Sequence, residues 1–159
     1  MPVLTGRRPR ATGAEPAAVG RGSVRPVIVA TLEAPLTDEA ARIGVDSAVE
    51  ACQPLLVVNA VESLLAPCGL VLGYDYVAPP DVEESLRTPA TLAHNLGVRV
   101  ERFCLRSPRP VDALLDFVVE RGCGLLVVGP DRRRIGRWRY RRAARKIRDG
   151  APCLVWLAE

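Results

Sequence analysis

The sequence predicts an α/β fold, a single doubly wound sheet of five mostly parallel strands flanked by helices. Three observations carry that prediction. Short β-branched runs recur along the chain, helical repeats fill the gaps between them, and three of the runs are nearly continuously apolar. Strands covered on both faces of a parallel sheet must look like this. At 159 residues the chain is expected to form one domain with a real core.

The elements follow in order. Residues 1–23 are rich in Gly, Pro, Ala and Arg and have no periodicity. They predict a disordered tail ahead of a domain spanning 24–159. VRPVIVAT supplies a first strand near 25–31. Thr37 is placed to cap the next helix, with Asp38 and Glu39 at the positive end of its dipole. Its expected buried face is Ala41, Gly44, Val45, Ala48, Ala51 and Cys52. PLLVVNAV (54–61) is the second strand. A long connection over 62–80 follows, apolar enough to pack either as a lid or as a cover for the sheet edge.

Residues 81–96 are helical in pattern. Asp81 and Glu84 suggest a capping box, and Thr88-Pro89 a second cap, so a kink or two short helices are expected. VRVERFCL (98–105) alternates less cleanly and belongs near an edge. Val111, Leu114, Leu115, Val118 and Val119 repeat a helical spacing between a starting proline and Gly122. GLLVVG (124–129) and PCLVWLA (152–158) complete the five strands.

Charge is distributed unevenly. The formal net charge is +4, yet ten cations crowd Arg132–Arg148, so the rest of the chain carries −6. Local basicity of this kind implies an anionic partner more strongly than a high overall pI does. A helix over 139–149 would bury Tyr140, Ala143, Ala144 and Ile147 and turn its arginines outward. Trp138 suits base stacking, an interface anchor or the core of the preceding loop.

Five cysteines (Cys52, Cys68, Cys104, Cys123 and Cys153) show neither disulfide nor zinc spacing. His94 fits a helix end favoured by the dipole, before a cap at Gly97. No nucleophile–base pair or metal cluster is visible, so a non-enzymatic protein is expected. No leader or apolar spanning stretch is apparent, and the expected location is the cytoplasm.

The ending GLLVVGPDRR…APCLVWL, together with the alternation and segment lengths, resembles the universal stress protein family. Leu125–Gly129 and Ala151–Leu157 match its outer segments, and residues 97–129 match its third strand, third helix and fourth strand. The resemblance covers about 25–159 and implies a Rossmann-like sheet ordered 3-2-1-4-5, a regulatory binding role in stress response and a homodimer through the strand near 152–158. It also implies ATP as a candidate ligand, held by glycines that let phosphates approach bare backbone amides. Here that motif is degraded. Gly129 keeps the first glycine position, Arg132 stands at the second, and Arg141-Arg142 or Arg142-Ala143 replaces the terminal Gly-Ser. The family's aspartate after the first strand is replaced within Thr31-Leu32-Glu33-Ala34.

The expected function is therefore a binding domain that grips an anionic ligand or an acidic protein through side chains, with ATP binding weak or absent. The residues expected to serve it are Thr31, Gly129, Arg132, Arg133, Gly136, Trp138, Arg141 and Arg142. A nucleic-acid-binding module using the Arg132–Arg148 face is the alternative, followed by a basic membrane-surface or structural interaction protein.

Overall fold

The computed structural model describes residues 23–63 and 77–158. The tail expected over 1–23, apart from Ser23, lies outside them. So does most of the 62–80 connection, with Cys68, Tyr74, Asp75 and Tyr76.

The apolar runs form β1 (Val27–Thr31), β2 (Leu55–Glu62), β3 (Val100–Ser107), β4 (Leu125–Val128) and β5 (Leu154–Leu157). All neighbouring strands pair in parallel, in the order β3-β2-β1-β4-β5. The alternation in β3 is explained by its place at one edge; β5 forms the other. β1 is buried at every position, since it sits in the centre of the sheet. Successive side chains of a strand point to opposite faces, and so the core is divided in two. Ile28, Val58, Leu126 and Val128 pack on one face with Leu114, Val118 and Ile147. Val29, Val57 and Val127 pack on the other with Val45, Ala48, Val82 and Leu86.

Helices α1 (Asp38–Ala51) and α2 (Pro80–Asn95) cover the second face. The Thr37 hydroxyl caps α1 by accepting from the Ala40 amide at 3.3 Å, as the sequence predicts. The buried stripe is Ala40, Gly44, Val45 and Ala48, so Gly44, Val45 and Ala48 are buried as expected and Ala40 takes the place of Ala41. Ala41 is only half-buried, and Ala51 and Cys52 are exposed. Close approach sets that face, because a Cβ on Gly44 would overlap Val29.

α2 is one continuous helix rather than two, and no side chain caps its start. Pro79 is its N-cap and Pro80 presets the first turn. Asp81 pairs with Arg134 at 2.8 Å instead. Pro89 is buried within the helix, and the Thr88 hydroxyl donates to the Glu84 carbonyl at 3.0 Å rather than capping anything. The helix ends with Leu96 as its cap, and Gly97 follows in the left-handed region at φ 81.

Helix α3 (Pro110–Arg121), the single turn α4 (Arg132–Ile135) and α5 (Arg137–Gly150) lie on the first face. α3 ends at Gly122 with φ 60, as predicted. It buries Leu114, Phe117 and Val118, while Val119 faces solvent. Phe117 meets Phe103 with ring centroids 4.9 Å apart. α5 buries Tyr140, Ala143 and Ile147 and begins two residues earlier than its apolar spacing suggests. No described helix is long and apolar enough to cross a membrane.

Candidate anion-binding cavity

In a doubly wound sheet, ligands gather at the carboxyl ends of the strands where the winding reverses. Here that point lies between β1 and β4, and the protein's own backbone closes it. The Thr37 amide donates to the Gly129 carbonyl at 2.8 Å, and the Asp131 amide donates to the Pro35 carbonyl at 2.8 Å. The Gly129 amide donates to the Ala30 carbonyl at 3.2 Å. Leu32, Ala34 and Leu36 are buried in the same loop. Asp131 also caps α4, its carboxylate accepting from the Arg133 amide at 2.9 Å. A phosphate arriving there would meet a negative charge and donors already used.

The open space lies beside this seam, between the N-terminal halves of α3 and α5. It is a cavity of ≈ 630 Å³, a size that suits a small ligand. Leu32, Ala60, Val111, Ile135 and Ala143 give it an apolar floor, and charged groups from β2, α3, α5 and the loops after β1 and β3 form its rim.

A left-handed residue, Glu33 at φ 54, turns the chain just beyond β1. Its amide donates to Asn59 Oδ1 at 3.2 Å, and its carboxylate accepts from the Glu62 amide at 2.7 Å. Arg139 then reaches from α5 to Glu62 at 2.8 Å and to Glu33 at 3.4 Å. Across the cavity Lys146 pairs with Asp112 at 2.5 Å. Two rim guanidinium groups, those of Arg109 and Arg142, have no carboxylate partner among the described residues. Arg142 lies over the Trp138 ring, 5.7 Å from its centroid. Trp138 is 72% exposed, which settles its placement in favour of an outward indole.

The eight residues expected at a ligand site are therefore dispersed. Trp138 and Arg142 line the cavity. Arg132 and Arg141 line a smaller hollow on the far side of α5, where Arg132 stacks over Tyr140 at 5.5 Å. Arg133 is exposed on α4. Thr31 is buried and its hydroxyl donates to the Ala34 carbonyl at 2.5 Å. Gly129 is a packing glycine, since a Cβ there would overlap Ala40. Gly136, at φ 83, makes the turn between α4 and α5. Sequence reasoning missed Arg109, Arg139, Lys146, Glu33, Glu62 and Asp112. The available signal was a carboxylate just past β1 and another ending β2, in a chain whose cations are concentrated elsewhere.

Two buried groups complete the local electrostatics. The Tyr140 hydroxyl donates to the Ala158 carbonyl at 2.5 Å. Burial pushes its pKa up, opposed by the charges of Arg132 and Arg148. Burial, reinforced by neighbouring Cys153, pushes the Cys123 thiol up to about 12, which keeps it protonated and unreactive. Among the described residues no three His, Cys, Asp or Glu side chains gather as a metal site.

No family sequence model matches the chain, and no curated protein matches it by sequence. Solved structures do match. Universal stress protein UspA from Lactobacillus plantarum superposes with a TM-score of 0.60 at 15% identity, over 85% of this chain and 97% of that one. The chain has the universal stress protein fold. The universal stress protein from Archaeoglobus fulgidus in complex with dAMP superposes at 0.55 with 18% identity, over 86% and 98% of the two chains. A universal stress protein in complex with cAMP superposes at 0.58 with 16% identity, over 87% and 99%. Within the universal stress protein fold, the Rossmann-like layering and the sheet order are those the sequence resemblance implied.

Proposed function

We propose that this chain is a non-enzymatic binding domain whose ligand is a small anion joined to a planar ring, held in the cavity between α3 and α5. One observation carries the reading. Two guanidinium groups without carboxylate partners, Arg109 and Arg142, border an apolar-floored space of ≈ 630 Å³ beside the exposed Trp138 indole. Arginine takes phosphate or carboxylate in bidentate fashion, and an indole offers a stacking surface to a flat ring. That two proteins of the same fold are solved with cAMP and dAMP supports a nucleoside monophosphate as the first compound to test.

A triphosphate is disfavoured. The seam that would hold its outer phosphates is closed, with Asp131 at its end. The nucleic-acid reading draws on only part of the basic segment, because Arg134, Arg139 and Lys146 are already committed to Asp81, Glu33, Glu62 and Asp112.

Calorimetry with AMP, cyclic AMP and ATP tests the proposal. A monophosphate is expected to bind more tightly than ATP, and the paired change Arg109→Gln with Arg142→Gln should weaken it by about tenfold or more. Equal or tighter binding of ATP, or indifference to the paired change, would overturn it.

A further inference from the structure

The cations of α5 lie on two flanks. At 3.6 residues per turn, Arg139 and Lys146 fall on the flank facing the cavity, where carboxylates take them. Arg137, Arg141, Arg145 and Arg148 fall on the opposite flank, spanning about 16 Å of helix at 1.5 Å per residue. Among the described residues none of these four has a carboxylate partner.

That outer flank overhangs β5. Arg141, Arg145 and Arg148 wall a groove of ≈ 350 Å³ that reaches Leu157. A second hollow of ≈ 480 Å³ crosses the strand edge between Arg148 on one face and Glu39 on the other, over Val155 and Trp156. β5 ends the sheet order, so no described strand pairs with its outer side. The Ala158 amide donates inward to the Val128 carbonyl at 3.0 Å. Because amide direction alternates along a strand, Trp156 also points inward, whereas Val155 and Leu157 present their amides and carbonyls outward.

An unpaired edge and an unpaired row of arginines thus run side by side. We propose that this edge docks an extended acidic segment of another protein, which adds to the sheet as a sixth strand. Every second side chain of that segment is a carboxylate facing Arg141, Arg145 and Arg148. The intervening side chains are apolar and lie against Trp156 on the other face. Backbone pairing supplies affinity in such strand addition and the alternating side chains supply specificity.

Charge favours this occupant over a second copy of the chain. Antiparallel two-fold pairing of β5 keeps both α5 helices on one face of the joined sheet, so two uncompensated arginine flanks would converge. A nucleic acid would satisfy the arginines but leave the outward amides of Val155 and Leu157 unused.

The test is fluorescence anisotropy of a labelled peptide of about eight residues alternating glutamate and valine, titrated with the full chain. Saturable binding is expected. It should weaken by about tenfold or more with Arg141→Glu and Arg145→Glu together, and likewise with Val155→Pro, which removes one outward amide. The arginine pair is solvent-exposed, so its result stands even if the proline variant unfolds. Four results would overturn the proposal. One is no binding, and another is equal affinity for a peptide with its glutamates clustered at one end. A third is preference for a single-stranded oligonucleotide that Val155→Pro leaves unchanged. The fourth is a dimer in sedimentation that Val155→Pro dissociates.

Discussion

The Arg139 guanidinium lies 2.8 Å from the Glu62 carboxylate, so α5 is tied to the end of β2 across 77 positions of sequence. The same guanidinium reaches Glu33 at 3.4 Å, which holds the carboxyl ends of β1 and β2 and the start of α5 around one charge. Both carboxylates would otherwise stand close together at the cavity rim. The arginine is half-exposed, and solvent screens the interaction. Arg139→Gln should therefore cost only about 0.5–1 kcal/mol of stability. In a double-mutant cycle with Glu62→Gln, urea midpoints should reveal coupling of similar size; strict additivity would show the bridge to be idle.

Gly129 should tolerate no side chain. Its buried backbone is hydrogen-bonded on both sides, and a Cβ would overlap Ala40 and lie 3.0 Å from the Thr37 hydroxyl. Gly129→Ala is expected to destabilise the fold by about 1–3 kcal/mol through overpacking. It should also separate packing from ligand contact, because binding measured well below the melting temperature should survive in the folded fraction.

Tyr140→Phe removes the hydroxyl that meets the Ala158 carbonyl while keeping the ring beneath Arg132. The expected loss is about 1–2 kcal/mol, mostly from leaving that carbonyl without its donor. A thermal melt reads it directly. The far-ultraviolet spectrum should not change, since the helix face keeps its apolar ring.

The Cys123 thiol gives stability an alkaline edge. Its folded pKa is raised from the ordinary 9.0 to about 12. The folded chain therefore holds a proton that the unfolded chain gives up. Stability should be full below about pH 9 and fall as pH rises toward 12, with Tyr140 and Cys153 acting in the same direction. Cys123→Ala should flatten part of that slope in urea titrations across the range. In the native protein, exposed Cys52 and Cys104 should react with a thiol reagent well before Cys123 does.

Periodicity alone was enough to place all five strands, the Thr37 cap and the Tyr140–Ile147 face, because these depend on side chains a few residues apart in the chain. It also separated the central runs from the alternating edge run of β3. It found Gly44, Val45 and Ala48 on the buried face of α1 but took Ala41 for Ala40, whose methyl lies against Gly129. That approach exists only once the sheet is assembled. At Thr88-Pro89 it expected a kink or a second helix start, whereas the helix runs on, with the Thr88 hydroxyl turned back to Glu84 and Pro89 buried.

The basic segment shows the same boundary. Its composition revealed ten cations on a helix and the loop before it, and even the face that must be buried. It could not divide those cations between two flanks, because their partners Glu33, Glu62 and Asp112 arrive from separate elements. Sequence by itself determined that this protein has a parallel α/β sheet with a cationic last helix, since local spacing and burial demand it. Only the tertiary structure decided which arginines are neutralised at the cavity and which remain uncompensated beside β5. Coulomb pairing acts through a few ångströms of space, and the fold alone sets which charges come that close.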